Sequence, residues 1–252
     1  TVIIGLNKMR LGHISDFHLR CHLAGTSTVL TRRSREMPEK INLAIQRFRE
    51  ENVDCVVVTG DLVDHPFEDM NIPEYLEKGE ADLLLVRDLL DQLDCPVFVV
   101  YGNHDHPLLF RRVFSLREES SIVGDFRIHC FYDEEGRNNT PERVGGELER
   151  FLEATSNSDE YSQIHIQHYL LYPEKNDGYP HTYLNSTSLI KSASSSEKVT
   201  LALSGHFHPG ENLVQYQGIY FAVAPAFCEP PHPFRIYDLS PPIIQTQHLN
   251  LS

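Results

Sequence analysis

The stretch Val53-Asp54-Cys55-Val56-Val57-Val58-Thr59-Gly60-Asp61-Leu62-Val63-Asp64 decides the fold. Val53–Thr59 reads as a strand with apolar residues on both faces, the pattern of a strand covered on two sides, and it ends on glycine and acid. Upstream, Met9–Ser15 is a shorter apolar stretch; downstream, Pro96–Tyr101 repeats the strand pattern. Two helices are expected between them. Pro38 opens the first, and Ile41, Ala44, Ile45 and Phe48 recur on one face. The second runs from about Glu80 to Leu93, with Leu83, Leu84, Val86, Leu89, Leu90 and Leu93 forming its apolar face. This β-α-β-α-β order predicts a largely parallel sheet with right-handed crossovers.

In the second half, Phe126–Tyr132, Tyr161–His168, Val199–Ser204, Ile219–Val223 and Phe234–Tyr237 read as strands, with a helix near Glu147–Ala154. Their close spacing late in the chain suggests an antiparallel second sheet. The serine-rich Ser186–Ser196, interrupted by Leu189 and Ile190, reads as a surface loop around a short helix. No repeat and no Pro/Gly-rich linker divides the chain, so residues 1–252 are expected to form one domain.

The chain has 22 basic and 36 acidic residues, a net charge of −14, which argues against nucleic acid as a partner. The short basic run Arg32-Arg33-Ser34-Arg35 reads as a solvated loop or an anion contact. Cys21, Cys55, Cys95, Cys130 and Cys228 are odd in number and form no CxxC pair, so neither a disulfide framework nor a thiolate zinc site is expected. A reduced, cytoplasmic location is the simplest expectation. No apolar run approaches membrane-helix length, and membrane insertion is not expected. The apolar run within Thr1–Lys8 is too short for a secretory leader and reads as the start of the first strand or an appended remnant.

Five predicted strand ends run into metal-ligand residues: Asp16-Phe17-His18; Gly60-Asp61 with Asp64; Gly102-Asn103-His104-Asp105; His168; Gly205-His206-Phe207-His208. In α/β sheets ligands gather at such ends. In extended backbone, residues i and i+2 project to the same side, so Asp16 with His18, and His206 with His208, can each address one ion. The glycines before Asp61, Asn103 and His206 permit sharp turns and close backbone approach. Mixed imidazole, carboxylate and amide ligands suit Mn, Fe or Zn and not calcium.

The ordered set D-x-H, G-D-x-x-D, G-N-H-D, H and G-H-x-H resembles the calcineurin-like metallophosphoesterases, in particular the small phosphodiesterase branch that includes class III cyclic-nucleotide enzymes. The resemblance spans Asp16 to His208. It implies an α/β fold, a four-layer α/β/β/α sandwich with two mixed sheets. It also implies two transition-metal ions, one held by Asp16, His18, Asp61 and His208, the other by Asp61, Asn103, His168 and His206, with Asp61 shared. A small phosphate ester, possible nucleotides included, would be hydrolysed by in-line attack of a hydroxide shared between the ions. His104 would serve the departing oxygen as general acid or charge stabiliser, with Asp64 orienting it.

Two other functions share these motifs: a DNA-repair-type nuclease, and a non-catalytic metal-binding scaffold. Serine/threonine protein phosphatases place an arginine after the second aspartate of G-D-x-V-D-R-G; here His65 stands there. Asp105 reads equally as a partner to the ligands or as a turn residue. His22, His65, His106 and His181 are expected in solvated loops, although His106 is close enough to line the site. Arg20 and Arg32 could contact a substrate phosphate, but a surface role is expected for them. Tyr169, Tyr172, Tyr179 and Tyr183 are expected to pack rather than to stack on a base.

Overall fold

A computed structural model describes residues 8–66, 70–114, 120–156 and 160–251, so all but the last residue of the apolar start Thr1–Lys8 lies outside the described residues. The chain runs β1 (Met9–Ile14), α1 (Met37–Glu50), β2 (Cys55–Val58), α2 (Pro73–Leu90), β3 (Val97–Val99), α3 (Pro107–Val113), β4 (Ser120–Val123) and β5 (Phe126–Cys130). It continues with α4 (Gly145–Ser156), β6 (Ser162–Ile166), α5 (Ser186–Ser196), β7 (Val199–Ser204), β8 (Glu211–Tyr216), β9 (Ile219–Val223), β10 (Pro233–Ser240) and β11 (Ile243–Asn250).

One sheet has the order β11-β10-β1-β2-β3 and the other β4-β5-β6-β7-β9-β8. In the first, β1, β2 and β3 are parallel, while β10 pairs antiparallel with both β1 and β11. The second differs from the sequence expectation. Its inner strands β5, β6, β7 and β9 are parallel, and only the edges β4 and β8 are antiparallel. The reason is connection length: α4 and α5 lie in the crossovers to β6 and β7, and a parallel pair needs such a crossover. The antiparallel edges come from hairpins: the tight Gly124-Asp125 turn joins β4 to β5, and the Gln217-Gly218 turn joins β8 to β9.

The apolar faces of both sheets merge into one core, where Leu11, Val57 and Ile236 share a cluster with Ile128, Ile164 and Leu203. Ile41, Ala44, Ile45 and Phe48 of α1 and Leu83, Val86 and Leu90 of α2 join the same cluster. On β1, Gly12 leaves room for α1: a Cβ there would meet the Phe48 ring at 2.5 Å. A second cluster, with Phe131, Phe151, Leu189, Ile190, Val199 and Phe221, packs α4 and α5 against the other face of the second sheet. The result is four layers, α/β/β/α.

Helix α5 is the segment expected to be mostly loop. Its Leu189, Ile190 and Ala193 are buried in the second cluster, and that packing outweighs the weak helix propensity of its serines. Beneath α4, the fully buried Arg143 donates to Asp133 at 2.7 Å, and Tyr183 Oη donates to the same carboxylate at 2.6 Å. No helix among the described residues is long and apolar enough to cross a membrane. All five cysteines are free thiols.

Candidate metal centre

The loops that follow β1 and β2 run side by side: the Asp16 amide donates to Gly60 O (3.0 Å), that of His18 to Asp61 O (2.9 Å) and that of Leu19 to Leu62 O (3.0 Å). This pairing carries the β1–β2 ladder past the strand ends while the backbone turns. Asp16, His18, Asp61 and His206 all have positive φ, at 55°, 42°, 52° and 65°. For residues with a Cβ each such turn costs on the order of 1–2 kcal/mol, and it persists only where surrounding contacts hold it. Gly102 is needed for closeness, since a Cβ there would lie 2.6 Å from the Asp61 amide nitrogen and from His168 Cε1.

These turns gather all seven ligand candidates. Ligand atoms of Asp16, His18, Asp61 and His208 lie within 4.8 Å of one another, as do those of Asp61, His168 and His206, so His206 and His208 do not address one ion as extended backbone would have them do; His206 has turned to positive φ. In the first group His18 Nε2 is 3.2 Å from His208 Nε2 and 3.3 Å from Asp61 Oδ2, and His208 Nε2 is 3.6 Å from Asp16 Oδ1. In the second, His168 Nε2 is 3.5 Å from Asp61 Oδ1 and 3.1 Å from Asn103 Oδ1.

The outer nitrogens fix which ring atom faces inward. His168 Nδ1–H donates to Thr59 O at 2.7 Å, and His208 Nδ1–H to Glu229 Oε1 at 2.7 Å. His18 Nδ1 lies 3.4 Å from Asp64 Oδ1. The Nε2 lone pairs therefore converge on the centre, as ligands held by outer partners do. Burial depresses His18 to about 3 and, with the neighbouring His168, depresses His206 well below the ordinary histidine value. Asp61 is buried, which opposes its charge, but the surrounding imidazoles more than compensate and hold it far below the usual carboxylate range.

Asp64 collects cations. Its Oδ1 is 3.2 Å from His104 Nδ1 and 3.2 Å from Arg32 Nη1, and its Oδ2 accepts from Arg20 Nε at 2.8 Å. Burial opposes its charge, yet the hydrogen bonds from His104 and His18 pull its pKa far down. For His104, burial disfavours the imidazolium, but Asp61 and Asp64 outweigh it and raise the pKa. Asp105, on whose role the sequence left two readings open, is a buried clamp. It accepts from Leu62 N (3.1 Å), Val63 N (3.0 Å) and Gly102 N (2.9 Å), tying the Asp61 loop to the Asn103 loop. Burial, and then Asp61's charge, push it up to about 7 against those donors.

A cavity of about 530 Å³ opens above the centre, lined by Asp61, Asn103, His104, His206 and His208, and also by Arg32, Asn139, Tyr179, His181 and Phe207. Several expectations change here. Arg20 and Arg32 are not surface residues; their side chains are 11% and 12% exposed against Asp64. His181 and Tyr179 line the cavity, whereas Tyr169 and Tyr183 are buried in the core and Tyr172 stacks on Tyr216. His65 and His106 are buried rather than solvated, His106 capping α3. His22 is half exposed and rests on Asp82. Glu229, which no motif marks, reaches His208 only because the chain between β9 and β10 returns past the site.

The residues present fit bound metal. Asp16 Oδ1 and His206 Nε2 are buried with no hydrogen-bond partner among the described residues, and the imidazole nitrogens of His18 and His208 face each other. Orphaned buried acceptors are costly unless a cation satisfies them. The nitrogen and oxygen donors, with no thiolate among them, suit a transition ion.

This fold and ligand set define a metal-dependent phosphohydrolase. The calcineurin-like phosphoesterase profile matches residues 9–210, and the chain belongs to that family. Membership implies a centre of two divalent metal ions. The chain is 26% identical over 234 residues to a probable cyclic nucleotide phosphodiesterase of Coxiella burnetii, covering 88% of this chain and 84% of that one. Its fold is similar to that of a dimetal phosphatase from Danio rerio, with TM-score 0.74 and 18% identity over 97% of this chain and 96% of the other. It is also similar in fold to a purple acid phosphatase from yellow lupin, Lupinus luteus, with TM-score 0.68 and 13% identity over 97% and 52%.

Proposed function

We propose that the chain is a phosphodiesterase for a small phosphate diester, nucleotides among them, with two transition-metal ions such as Mn, Fe or Zn as cofactors. Asp16, His18, Asp61 and His208 would hold one ion, and Asp61, Asn103, His168 and His206 the other. The observation that carries this reading is the placement of Asp61. Its Oδ2 lies 3.3 Å from His18 Nε2 and its Oδ1 3.5 Å from His168 Nε2, so one carboxylate faces both donor groups.

When bound, such an ion pair supplies an acidified water and positive charge for the phosphoryl oxygens. The chain's own side chains orient the ester and manage the proton. His104 lines the cavity beside Asn103, and Asp64 holds its Nδ1. With Nδ1 committed, the other ring nitrogen is the one that serves the departing oxygen, and the raised pKa keeps a proton there for transfer. Asp61 accepts from the His104 amide at 2.9 Å, which fixes the general acid against the ligand set.

The Coxiella burnetii relative's name supports the diester preference. The net charge of −14 weighs against the nuclease alternative. The whole chain is read as one catalytic domain, and the free thiols, one of them exposed, support a cytoplasmic location. The test compares bis(p-nitrophenyl) phosphate with p-nitrophenyl phosphate on the Mn-loaded protein. Preference for the diester supports the proposal, and hydrolysis of neither ester removes it. His104→Ala should lower kcat by about 10²–10⁴-fold with metal content intact; an unchanged kcat would remove the acid role.

A further inference from the structure

The mechanism above leaves one cation on the cavity wall unused. Arg32 sits in the loop between β1 and α1, a segment pinned by Arg33 N to Cys228 O (2.8 Å) and by Arg20 N to Ser34 O (3.1 Å). Its Nη1 meets Asp64 at 3.2 Å, its Nε is buried with no hydrogen-bond partner among the described residues, and its side chain lines the cavity together with His104 and His208.

Two explanations compete. Arg32 could merely prop Asp64. Arg20 already does so, with a 2.8 Å bond to Oδ2 and a second to Ala24 O, and it does not line the cavity. Two guanidinium groups share one carboxylate, and of the two Arg32 is on the cavity wall. A guanidinium presents several N–H donors in a planar fork that matches the oxygens of a phosphoryl group, and one arm on Asp64 would fix the fork's orientation.

We infer that Arg32 grips the phosphoryl group: with Nη1 on Asp64, its remaining donors bind a non-bridging oxygen of phosphate seated in the cavity, in substrate and in released product. The inference rests on the proposed phosphoesterase reading, but its chemistry is that of an oxyanion site and can be measured without turnover.

The experiment titrates Mn-loaded protein with inorganic phosphate by calorimetry, for wild type, Arg32→Ala, Arg32→Lys and Arg20→Ala. Loss of one charge-assisted, oriented contact should weaken phosphate binding by about 10- to 100-fold in Arg32→Ala. Arg32→Lys, which keeps the charge but not the fork, should fall between, and it decides the matter should the alanine variant fold poorly. Arg20→Ala should bind phosphate nearly as wild type does while losing kcat through a loosened Asp64. In steady state, Arg32→Ala should raise KM for bis(p-nitrophenyl) phosphate. Phosphate binding unchanged in both Arg32 variants, equal weakening by Arg20→Ala, or no phosphate binding by the wild type would each overturn the inference. A wild type that binds phosphate through Arg32 yet hydrolyses no ester would refute the proposed function and leave this site standing.

Discussion

Replacing Asp105 should unfasten the two loops that carry Asp61, Asp64, Asn103 and His104. The carboxylate is 1% exposed, with Oδ2 accepting from Leu62 N and Gly102 N and Oδ1 from Val63 N, at 2.9–3.1 Å. Asp105→Ala strands three buried N–H groups, each worth about 1–3 kcal/mol when left unsatisfied, so a loss of about 5 kcal/mol is expected. A typical domain has only about 5–15 kcal/mol in total. Asp105→Asn keeps one acceptor oxygen. Turned to serve Leu62 and Gly102, it sets an NH₂ against Val63 N–H, and the cost should fall to about 1–3 kcal/mol. The assay is urea unfolding at pH 8, where the carboxylate is ionised even with its pKa near 7, in the presence of chelator so that metal linkage does not enter. Metal analysis of the unchelated variants should show reduced metal content, more so for alanine. An Asp105→Ala protein with wild-type urea midpoint and full metal content would refute the argument that this clamp sets the loop geometry.

Asp61→Asn should lower the content of both ions, whereas Asn103→Ala should lower only one; metal analysis by mass spectrometry distinguishes them. Glu229→Gln removes the carboxylate that fixes the His208 tautomer, 2.7 Å from Nδ1, and metal affinity should drop about 10- to 100-fold in chelator competition. Gly102→Ala introduces a Cβ 2.6 Å from the Asp61 amide and His168 Cε1, and thermal unfolding should show a loss of about 1–3 kcal/mol together with reduced metal content. Far from the centre, Asp133→Ala leaves Arg143 charged and buried without its partner, a loss of about 3–5 kcal/mol in denaturant unfolding with metal content unaffected in the folded protein.

Much of the candidate metal centre was legible because its chemistry lies in short local patterns. Asp16-x-His18, Gly60-Asp61-x-x-Asp64 and Gly205-His206-x-His208 each keep their candidate ligands within a few residues, and each follows an apolar run that reads as a strand. The parallel part of the first sheet, β1, β2 and β3, was legible for the same reason: Val53–Thr59 and Pro96–Tyr101 are apolar on both faces, and the periodic helices between them leave little choice but parallel pairing, whereas β10 and β11 join that sheet antiparallel, which no local pattern announced. The second sheet was not. Strand direction in β5, β6, β7 and β9 depends on which connections cross over, and α5 is a helix only because Leu189, Ile190 and Ala193 find a surface to bury against.

What the sequence by itself determined is the set of candidate donor residues, their order and the presence of strands to deliver them, since these follow from residue type and local period. What only the tertiary structure decided is how distant segments share a charge. Arg20 and Arg32 converge on Asp64, Glu229 returns from beyond β9 to His208, and Asp105 grips two loops at once. Such contacts depend on positions in space after the sheets have packed. Electrostatic and hydrogen-bond energies fall off over a few ångströms of space, and separation along the chain does not enter them.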